Sequence, residues 1–117
     1  MEYKTIQYET LEKGIMQLSL NRPESYNAVT HLMMEELEHF WRERLYDLDT
    51  VIVLLKGNGE KGFCAGLDMK ESMETAPKMR TEEFYRFQAR LARINLHMRR
   101  APQPIITTVH GAAAGQG

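Results

Sequence analysis

The feature that most constrains this chain is the segment 110–117, where glycines and small residues directly follow the apolar, β-branched run 105–109. The β-branched run predicts a strand, and the glycines after it let the backbone turn sharply and approach a ligand closely. Turns of this kind usually open a helix, whose first N–H groups are free to bind an anion. We therefore expect half of a backbone-built ligand site at this point.

Composition indicates a soluble globular domain. The 117 residues are enough for one core, and 43% are hydrophobic and 26% charged. Fifteen Lys and Arg against sixteen Asp and Glu give a net charge of −1, which disfavours nucleic acid as a partner. No apolar run approaches the roughly 20 residues of a membrane span, and residues 1–4 do not resemble a secretory signal. With Cys64 as its one cysteine, the chain is expected in the cytoplasm, without a membrane partner.

Hydrophobic periodicity predicts an α/β fold in the order β-β-α-β-loop-α-β. The expected strands are 3–8, 15–20, 51–55 (buried on both faces) and 105–109. The expected helices are 31–47, with Thr30 as N-cap, and 81 to about 99. Residues 71–80 lack a period and include Pro77, so we expect a mobile loop there.

Each predicted helix carries an apolar stripe at helical spacing. The stripes are Met33, Leu37, Phe40, Trp41 and Leu45 in the first helix, and Phe84, Phe87, Leu91, Ile94 and Met98 in the second. On the other face of the first helix, Glu35, Glu36 and Glu38 are interpreted as solvated charge. Arg86, Arg90 and Arg93, helped by Glu82, are interpreted as a solvated face rather than a phosphate site.

Two short segments share one physical design. Residues 64–68 and 113–117 each follow an apolar run and consist of small residues around a glycine. Placed at the ends of adjacent strands, such turns would aim two backbone N–H groups at one point, which is the geometry of an oxyanion hole. A backbone donor tolerates almost any side chain, so Leu67 and Gln116 are acceptable at the donor positions.

Three motifs together resemble the crotonase family, the enoyl-CoA hydratase/isomerase superfamily of acyl-CoA enzymes. They are N-R-P with N-A at 21–23 and 27–28, G-F-C-A-G-L-D-M-K at 62–70, and P-I-I-T-T-V-H-G-A-A-A-G-Q-G at 104–117. They span essentially the whole chain in the family's order. The resemblance implies a crotonase-like ββα spiral fold, with residues 1–117 as the N-terminal part of a single domain that stops before the catalytic and trimerisation helices.

The resemblance also implies roles for individual residues. The N–H groups of Leu67 and Gln116 match the family's two oxyanion donors, although many relatives have glycine or another small residue where Gln116 stands. That side chain is therefore expected to crowd the acyl pocket. Ala65 matches a position whose backbone contacts the adenine of CoA, and Lys70 one that reaches its phosphates. The full set of expected substrate-binding residues is Tyr26, Ala28, Ala65, Gly66, Asp68, Met69 and Lys70.

The implied function is stabilisation of a thioester enolate, with hydration of a 2-enoyl-CoA as the expected reaction. Double-bond isomerisation and thioester hydrolysis use the same scaffold. The two glutamates of the family's hydratases fall beyond the second turn and are absent from this chain. The CoA thioester is the substrate, no separate cofactor or metal is expected, and a homotrimer or dimer of trimers is expected of the complete protein. The rival is a non-catalytic CoA-binding fragment.

Several residues have a more ordinary interpretation beside a functional one. Cys64 is interpreted as a small buried residue rather than a nucleophile, and Asp68 as a local hydrogen-bonding group rather than an acid or base. Met69 and Met73 flank the predicted loop, where lining an acyl pocket is the alternative. His31, His39, His97 and His110 lack metal-binding spacing. The glycines of 111–117 also lack the G-x-G-x-x-G spacing of a dinucleotide site.

Overall fold

A computed structural model describes all residues, Met1–Gly117, and its α/β architecture confirms the predicted fold class. The strands are β1 Ile6–Glu12, β2 Ile15–Leu20, β3 Ile52–Gly57, β4 Gly62–Cys64, β5 Ile105–Thr107 and β6 Ala112–Ala113. The helices are α1 His31–Arg44, α2 Met69–Thr75 and α3 Thr81–Arg100, with single 3-10 turns at Pro23–Ser25 and Ala76–Lys78.

Two sheets organise these elements. The larger has the order β1-β2-β3-β5, in which β1 is antiparallel to β2 and the other neighbours are parallel. The hairpin between β1 and β2 turns through Gly14, whose φ of 85° is the left-handed conformation that favours glycine. The smaller sheet pairs β4 with β6 in parallel. This second sheet carries the segments from which a backbone site was expected.

The core lies between the larger sheet and the two long helices. Leu18 and Val53 of the sheet and Phe40 of α1 are fully buried in one hydrophobic cluster, which Leu91 and Ile94 of α3 join. Fully burying a large apolar side chain contributes about 1.5–3 kcal/mol, so α1 is fastened to the sheet mainly by its apolar face. The predicted stripes are confirmed at their centres, whereas Leu45 and Phe84 at their ends are exposed.

Helix α1 begins where the sequence predicts and ends earlier. The hydroxyl of Thr30 accepts a hydrogen bond from the Met33 N–H at 3.2 Å, which confirms the N-cap. The helix stops at Arg44 rather than at 47 because the Asp47 carboxylate accepts bonds from the backbone N–H groups of Asp49 and Thr50. That local turn competes with a further helical turn.

Two expectations were wrong for one reason: the glutamates of α1 are not all solvated, and the first strand does not begin at residue 3. Glu36 is 1% exposed rather than solvated, and its carboxylate accepts the backbone N–H groups of Lys4 and Thr5 at 2.7 and 2.8 Å. Because those two amides bond to Glu36, β1 begins at Ile6 instead of residue 3 and continues to Glu12. Glu38 is also largely covered, at 16% exposure, and pairs with Arg90.

Three further expectations were wrong. Residues 71–80 are not a loop but contain most of α2 and a 3-10 turn, since Asp68 caps α2 by accepting from the Glu71 N–H. Strand β3 alternates between buried and half-buried residues, and Val51 before it is 62% exposed. The strand 105–109 ends at Thr107, and β6 follows separately.

None of the helices combines the length and apolarity needed to cross a membrane.

Candidate active site at two converging turns

The two glycine-containing segments follow strands that lie side by side. In the parallel pairing of β4 with β6, Gly62 is opposite Ala112 and Cys64 is opposite Ala113. The pairing continues one residue further, where the Ala114 N–H donates to the Cys64 carbonyl oxygen at 3.1 Å. Parallel strands end at the same edge, so the turns 65–68 and 114–117 leave the sheet together.

The two turns contact each other through their backbones. Gly66 has a φ of 95°, and a Cβ built on it would lie 2.7 Å from the Ala114 carbonyl oxygen and 3.4 Å from the Gln116 nitrogen. A Cβ on Gly117 would collide with the Cys64 carbonyl oxygen. Glycine is therefore required at both positions for this close approach, which is the arrangement that the sequence predicts.

The amides of Leu67 and Gln116 have no acceptor within the protein, whereas the amides of the residues that follow them do. The N–H of Asp68 donates to the Val29 carbonyl oxygen at 2.9 Å, and that of Gly117 to the Ala114 carbonyl oxygen at 2.8 Å. Half-buried amides without an internal partner are the groups available to a ligand oxygen. The structure thus leaves the N–H free at the predicted donor position in each of the two touching turns.

The first turn is supported by the segment 22–29, which contains the N-R-P motif. Asn27 is fully buried, with a φ of 54°, and its side-chain nitrogen lies 3.0 Å from both the Asn58 and the Phe63 carbonyl oxygens. The Ala65 N–H donates to the Tyr26 carbonyl oxygen at 3.0 Å. Since these bonds join the segment to β4 and to the turn after it, the backbone of the turn is fixed from one side.

Asp68 acts in the structure through local hydrogen bonds. Its carboxylate accepts from the Glu71 N–H at the start of α2 and lies 3.0 Å from the Arg22 guanidinium. The hydrogen bond from Glu71, followed by the contact with Arg22, holds the pKa of Asp68 below its usual value. A carboxylate that is ionised and engaged in this way is a poor proton donor, in agreement with the local role predicted for it.

The other residues expected at a substrate surround the first turn. Tyr26 is 49% exposed and has the Lys61 ammonium 5.0 Å from its ring centre, while Ala65 is exposed beside it. Met69 and Lys70 are exposed in the first turn of α2. Ala28 is buried, and its carbonyl oxygen accepts from Arg22 at 2.7 Å. Its side chain is therefore not presented to a ligand.

An apolar cavity of about 410 Å³ adjoins the second turn. Gln116 and Gly117 form part of its wall together with residues of α1 and α3. The Gln116 side chain reaches α3, where its Nε2 lies 3.4 Å from Asn95 Oδ1. Met69 and Met73 do not line this cavity. Gln116 thus borders an apolar space. Its side chain is predicted from the sequence to crowd such a space, the acyl pocket.

The remaining polar candidates have structural environments. Cys64 is buried, burial raises the pKa of its thiol, and its sulfur contacts the Asn27 carbonyl oxygen. The His110 ring lies 2.8 Å from the Gly59 carbonyl oxygen. Arg86 pairs with Glu82 at the surface, as the solvated-face interpretation predicts, whereas Arg90 is only 35% exposed and pairs with Glu38 of α1. No three His, Cys, Asp or Glu side chains are grouped closely enough to hold a metal ion.

Comparison with known proteins identifies the family of this chain. A family model described as enoyl-CoA hydratase/isomerase matches residues 15–117, which is most of the chain. The chain belongs to the enoyl-CoA hydratase/isomerase family. The resemblance seen in its motifs, and the crotonase fold that the resemblance implies, are thereby confirmed.

Individual relatives show the same likeness over part of their length. The chain is 37% identical over 114 residues to the 1,2-epoxyphenylacetyl-CoA isomerase of Escherichia coli, covering 92% of this chain and 40% of that protein. The crystal structure of an enoyl-CoA hydratase from Bacillus anthracis superposes with a TM-score of 0.88 at 29% identity, covering 97% of this chain and 43% of that one. For an enoyl-CoA hydratase from Shewanella pealeana the TM-score is 0.89 at 31% identity, with coverages of 98% and 42%. The chain spans about two fifths of the length of these relatives.

Proposed function

We propose that the protein is an acyl-CoA enzyme in which the backbone N–H groups of Leu67 and Gln116 donate to one thioester carbonyl oxygen. The observation that carries the proposal is the pair of free amides in two touching turns at the ends of β4 and β6. A carbonyl oxygen that gains negative charge during the reaction needs donors already oriented toward it, and backbone amides in fixed turns satisfy that need.

The size of the transition-state stabilisation that one N–H donor provides makes the backbone donors the main catalytic contribution of these turns. Loss of one oxyanion-hole donor costs about 2.7–4 kcal/mol of transition-state stabilisation in well-studied enzymes. Proton abstraction next to a thioester forms an enolate, and addition of water to a 2-enoyl thioester passes through the same kind of charge. The two amides stabilise that charge whichever reaction follows.

Hydration of a 2-enoyl-CoA is the reaction we favour, because two of the similar structures are enoyl-CoA hydratases. Isomerisation of an acyl-CoA is the second candidate, since the relative at 37% identity is named an isomerase. Thioester hydrolysis uses the same carbonyl stabilisation and is the third. Asp68 is engaged by Arg22 and α2, so we assign it no proton transfer.

The remaining parts of the proposal concern the ligand and the whole protein. The exposed surface of Tyr26, Ala65, Met69 and Lys70 would contact CoA, with the Lys70 ammonium near its phosphates. No separate cofactor takes part. We also propose, from the family resemblance, a cytoplasmic homotrimer or dimer of trimers. The apolar cavity lined by Gln116 and Gly117 would receive the acyl group.

The experiment replaces one backbone N–H without touching a side chain. In the full-length protein, Leu67 is exchanged for its α-hydroxy acid, which turns the amide into an ester and removes the donor. Hydration of crotonyl-CoA should lose about 10²–10³-fold in kcat. The matched control is the same exchange at Met79, whose N–H bonds to Ala76 at 3.1 Å in the 3-10 turn, away from both turns of the site. Equal activity of the two ester variants would contradict the proposal.

The same protein separates the candidate reactions and the non-catalytic alternative. Crotonyl-CoA, a 3-enoyl-CoA and a saturated acyl-CoA are offered in parallel, and hydration, isomerisation and release of free thiol are followed separately. We expect hydration to be fastest. Tight binding of CoA thioesters without any turnover would instead support a CoA-binding protein, and failure to bind them would exclude both.

A further inference from the structure

The guanidinium of Arg22 joins the N-R-P segment to the first turn. Its Nη1 donates to the Ala28 carbonyl oxygen at 2.7 Å and to Asp68 Oδ2 at 3.0 Å, and its Nη2 lies 3.4 Å from Ser25 Oγ. The side chains of Arg22 and Asp68 are only 20% and 15% exposed. Charge-assisted hydrogen bonds that are shielded from water in this way fix geometry better than an exposed ion pair does.

Leu67 is fixed through the residues on either side of it. The Val29 N–H donates to the Gly66 carbonyl oxygen at 2.7 Å, and the Asp68 N–H donates to the Val29 carbonyl oxygen at 2.9 Å. Leu67 lies between these two bonds and makes none with its own N–H. The direction of that N–H therefore depends on how firmly Val29 and Asp68 are held against each other.

Arg22 contacts both sides of this pairing. It bonds to Ala28, the residue before Val29, and to Asp68, the residue after Leu67. We infer that Arg22, acting through Asp68, is a positioning residue that aims the Leu67 N–H at the carbonyl oxygen of the substrate. The inference rests on the proposed function, because it assigns Arg22 a task only if the Leu67 amide is an oxyanion donor.

Three variants test the ion pair between Arg22 and Asp68 while keeping the other interactions of these residues as far as possible. Asp68→Asn removes the charge and keeps an N-cap for α2, since asparagine caps helices as well as aspartate does. Arg22→Met keeps most of the aliphatic length, and Arg22→Lys keeps the charge without the planar fork that reaches two acceptors. The matched control is Arg90→Met, which breaks the 3.1 Å pair with Glu38, away from the turns.

Two readouts are needed because a structural ion pair would also lower stability. In the full-length protein, kcat and KM for crotonyl-CoA are measured per folded molecule. The infrared stretching frequency of a ¹³C-labelled thioester carbonyl is recorded for a bound, non-reacting acyl-CoA. An intact oxyanion site lowers that frequency relative to the free ligand because donors polarise the carbonyl.

We expect Arg22→Met and Asp68→Asn each to lower kcat on the order of tenfold with little change in KM, because sub-ångström misplacement of a catalytic group is costly. The double variant should lose no more than either single one, since both break the same interaction. Their carbonyl frequency should move back toward that of the free ligand. Arg22→Lys should lie between wild type and Arg22→Met, and Arg90→Met should match wild type.

Two different results would refute the inference. If wild type lowers the carbonyl frequency and the variants change only the melting temperature, Arg22 is a structural residue and the proposed function stands. If wild type binds the acyl-CoA without lowering the frequency, the oxyanion site itself is refuted, and the inference with it. Should Arg22→Met fail to fold, Arg22→Lys and Asp68→Asn give the same comparison.

Discussion

Gly66→Ala is the substitution that most sharply tests the contact between the two turns. The Cβ of alanine would lie 2.7 Å from the Ala114 carbonyl oxygen, whereas ordinary contact begins at 3.4 Å. The two turns would have to separate by about 0.7 Å to remove this overlap. The obstacle is backbone on both sides, so a side-chain rotation cannot relieve it.

The magnitude follows from that displacement. A misplacement near 1 Å costs on the order of 10²-fold in rate, so we expect kcat/KM for crotonyl-CoA to fall by about 10–100-fold, equivalent to roughly 1.4–2.7 kcal/mol. The φ of 95° adds backbone strain, for which about 1–3 kcal/mol of stability is expected to be lost. Activity is therefore measured per folded molecule, at a temperature well below the transition of the variant.

Gly14→Ala is the matched control for strain. Gly14 has a φ of 85° in the β1–β2 hairpin, far along the chain from both turns, and its nearest obstacle is the Val51 side chain at 3.1 Å. This variant should lose stability and keep its activity per folded molecule. If Gly66→Ala is as active per folded molecule as Gly14→Ala, the spacing of the two turns does not matter to catalysis and the reasoning is refuted.

Three further predictions concern the scaffold. Glu36→Ala removes the acceptor of the Lys4 N–H and of the buried Thr5 N–H, and it should lower the free energy of unfolding by about 3 kcal/mol in urea titrations. A loss below about 1 kcal/mol would show that water replaces the carboxylate. Thr30→Ala removes the cap of α1 and should cost about 1 kcal/mol, with Thr30→Ser restoring most of it by the same measurement. The pKa of Asp47 is lowered chiefly by the hydrogen bond from the Thr50 hydroxyl. Its stabilising contribution is therefore complete above the ordinary pKa of 3.8 and is lost as the pH falls through the lowered value, so Asp47→Asn should flatten the acid limb of stability against pH, and an unchanged limb would contradict this.

Much of the fold was predictable because its signals are local. The cap at Thr30, the apolar stripe through Phe40 and Trp41, and the start of α3 at Thr81 follow from residues near one another in sequence. The position of each turn also followed, because each is marked by its own glycines. These features need no knowledge of distant contacts.

The errors arise from contacts between distant segments and from elements too short to show a sequence pattern. Glu36 has the sequence neighbours of a solvated residue, and only its bonds to Lys4 and Thr5, about thirty positions away, make it buried. Helix α2 has seven residues, too few to show a periodic pattern, and it depends on the cap at Asp68. The partner of Arg22, Asp68, lies 46 positions away in the sequence. A short polar motif gives little indication of such pairings before the fold brings them together.

The central claim is that two amides bind one oxygen, and a crystal structure of the full-length protein with a non-reacting acyl-CoA tests it most directly. The account predicts the thioester oxygen within about 2.7–3.1 Å of both the Leu67 and the Gln116 nitrogen, the range of an effective oxyanion donor. A well-ordered ligand whose carbonyl oxygen bonds to neither nitrogen, or to one alone, would contradict it.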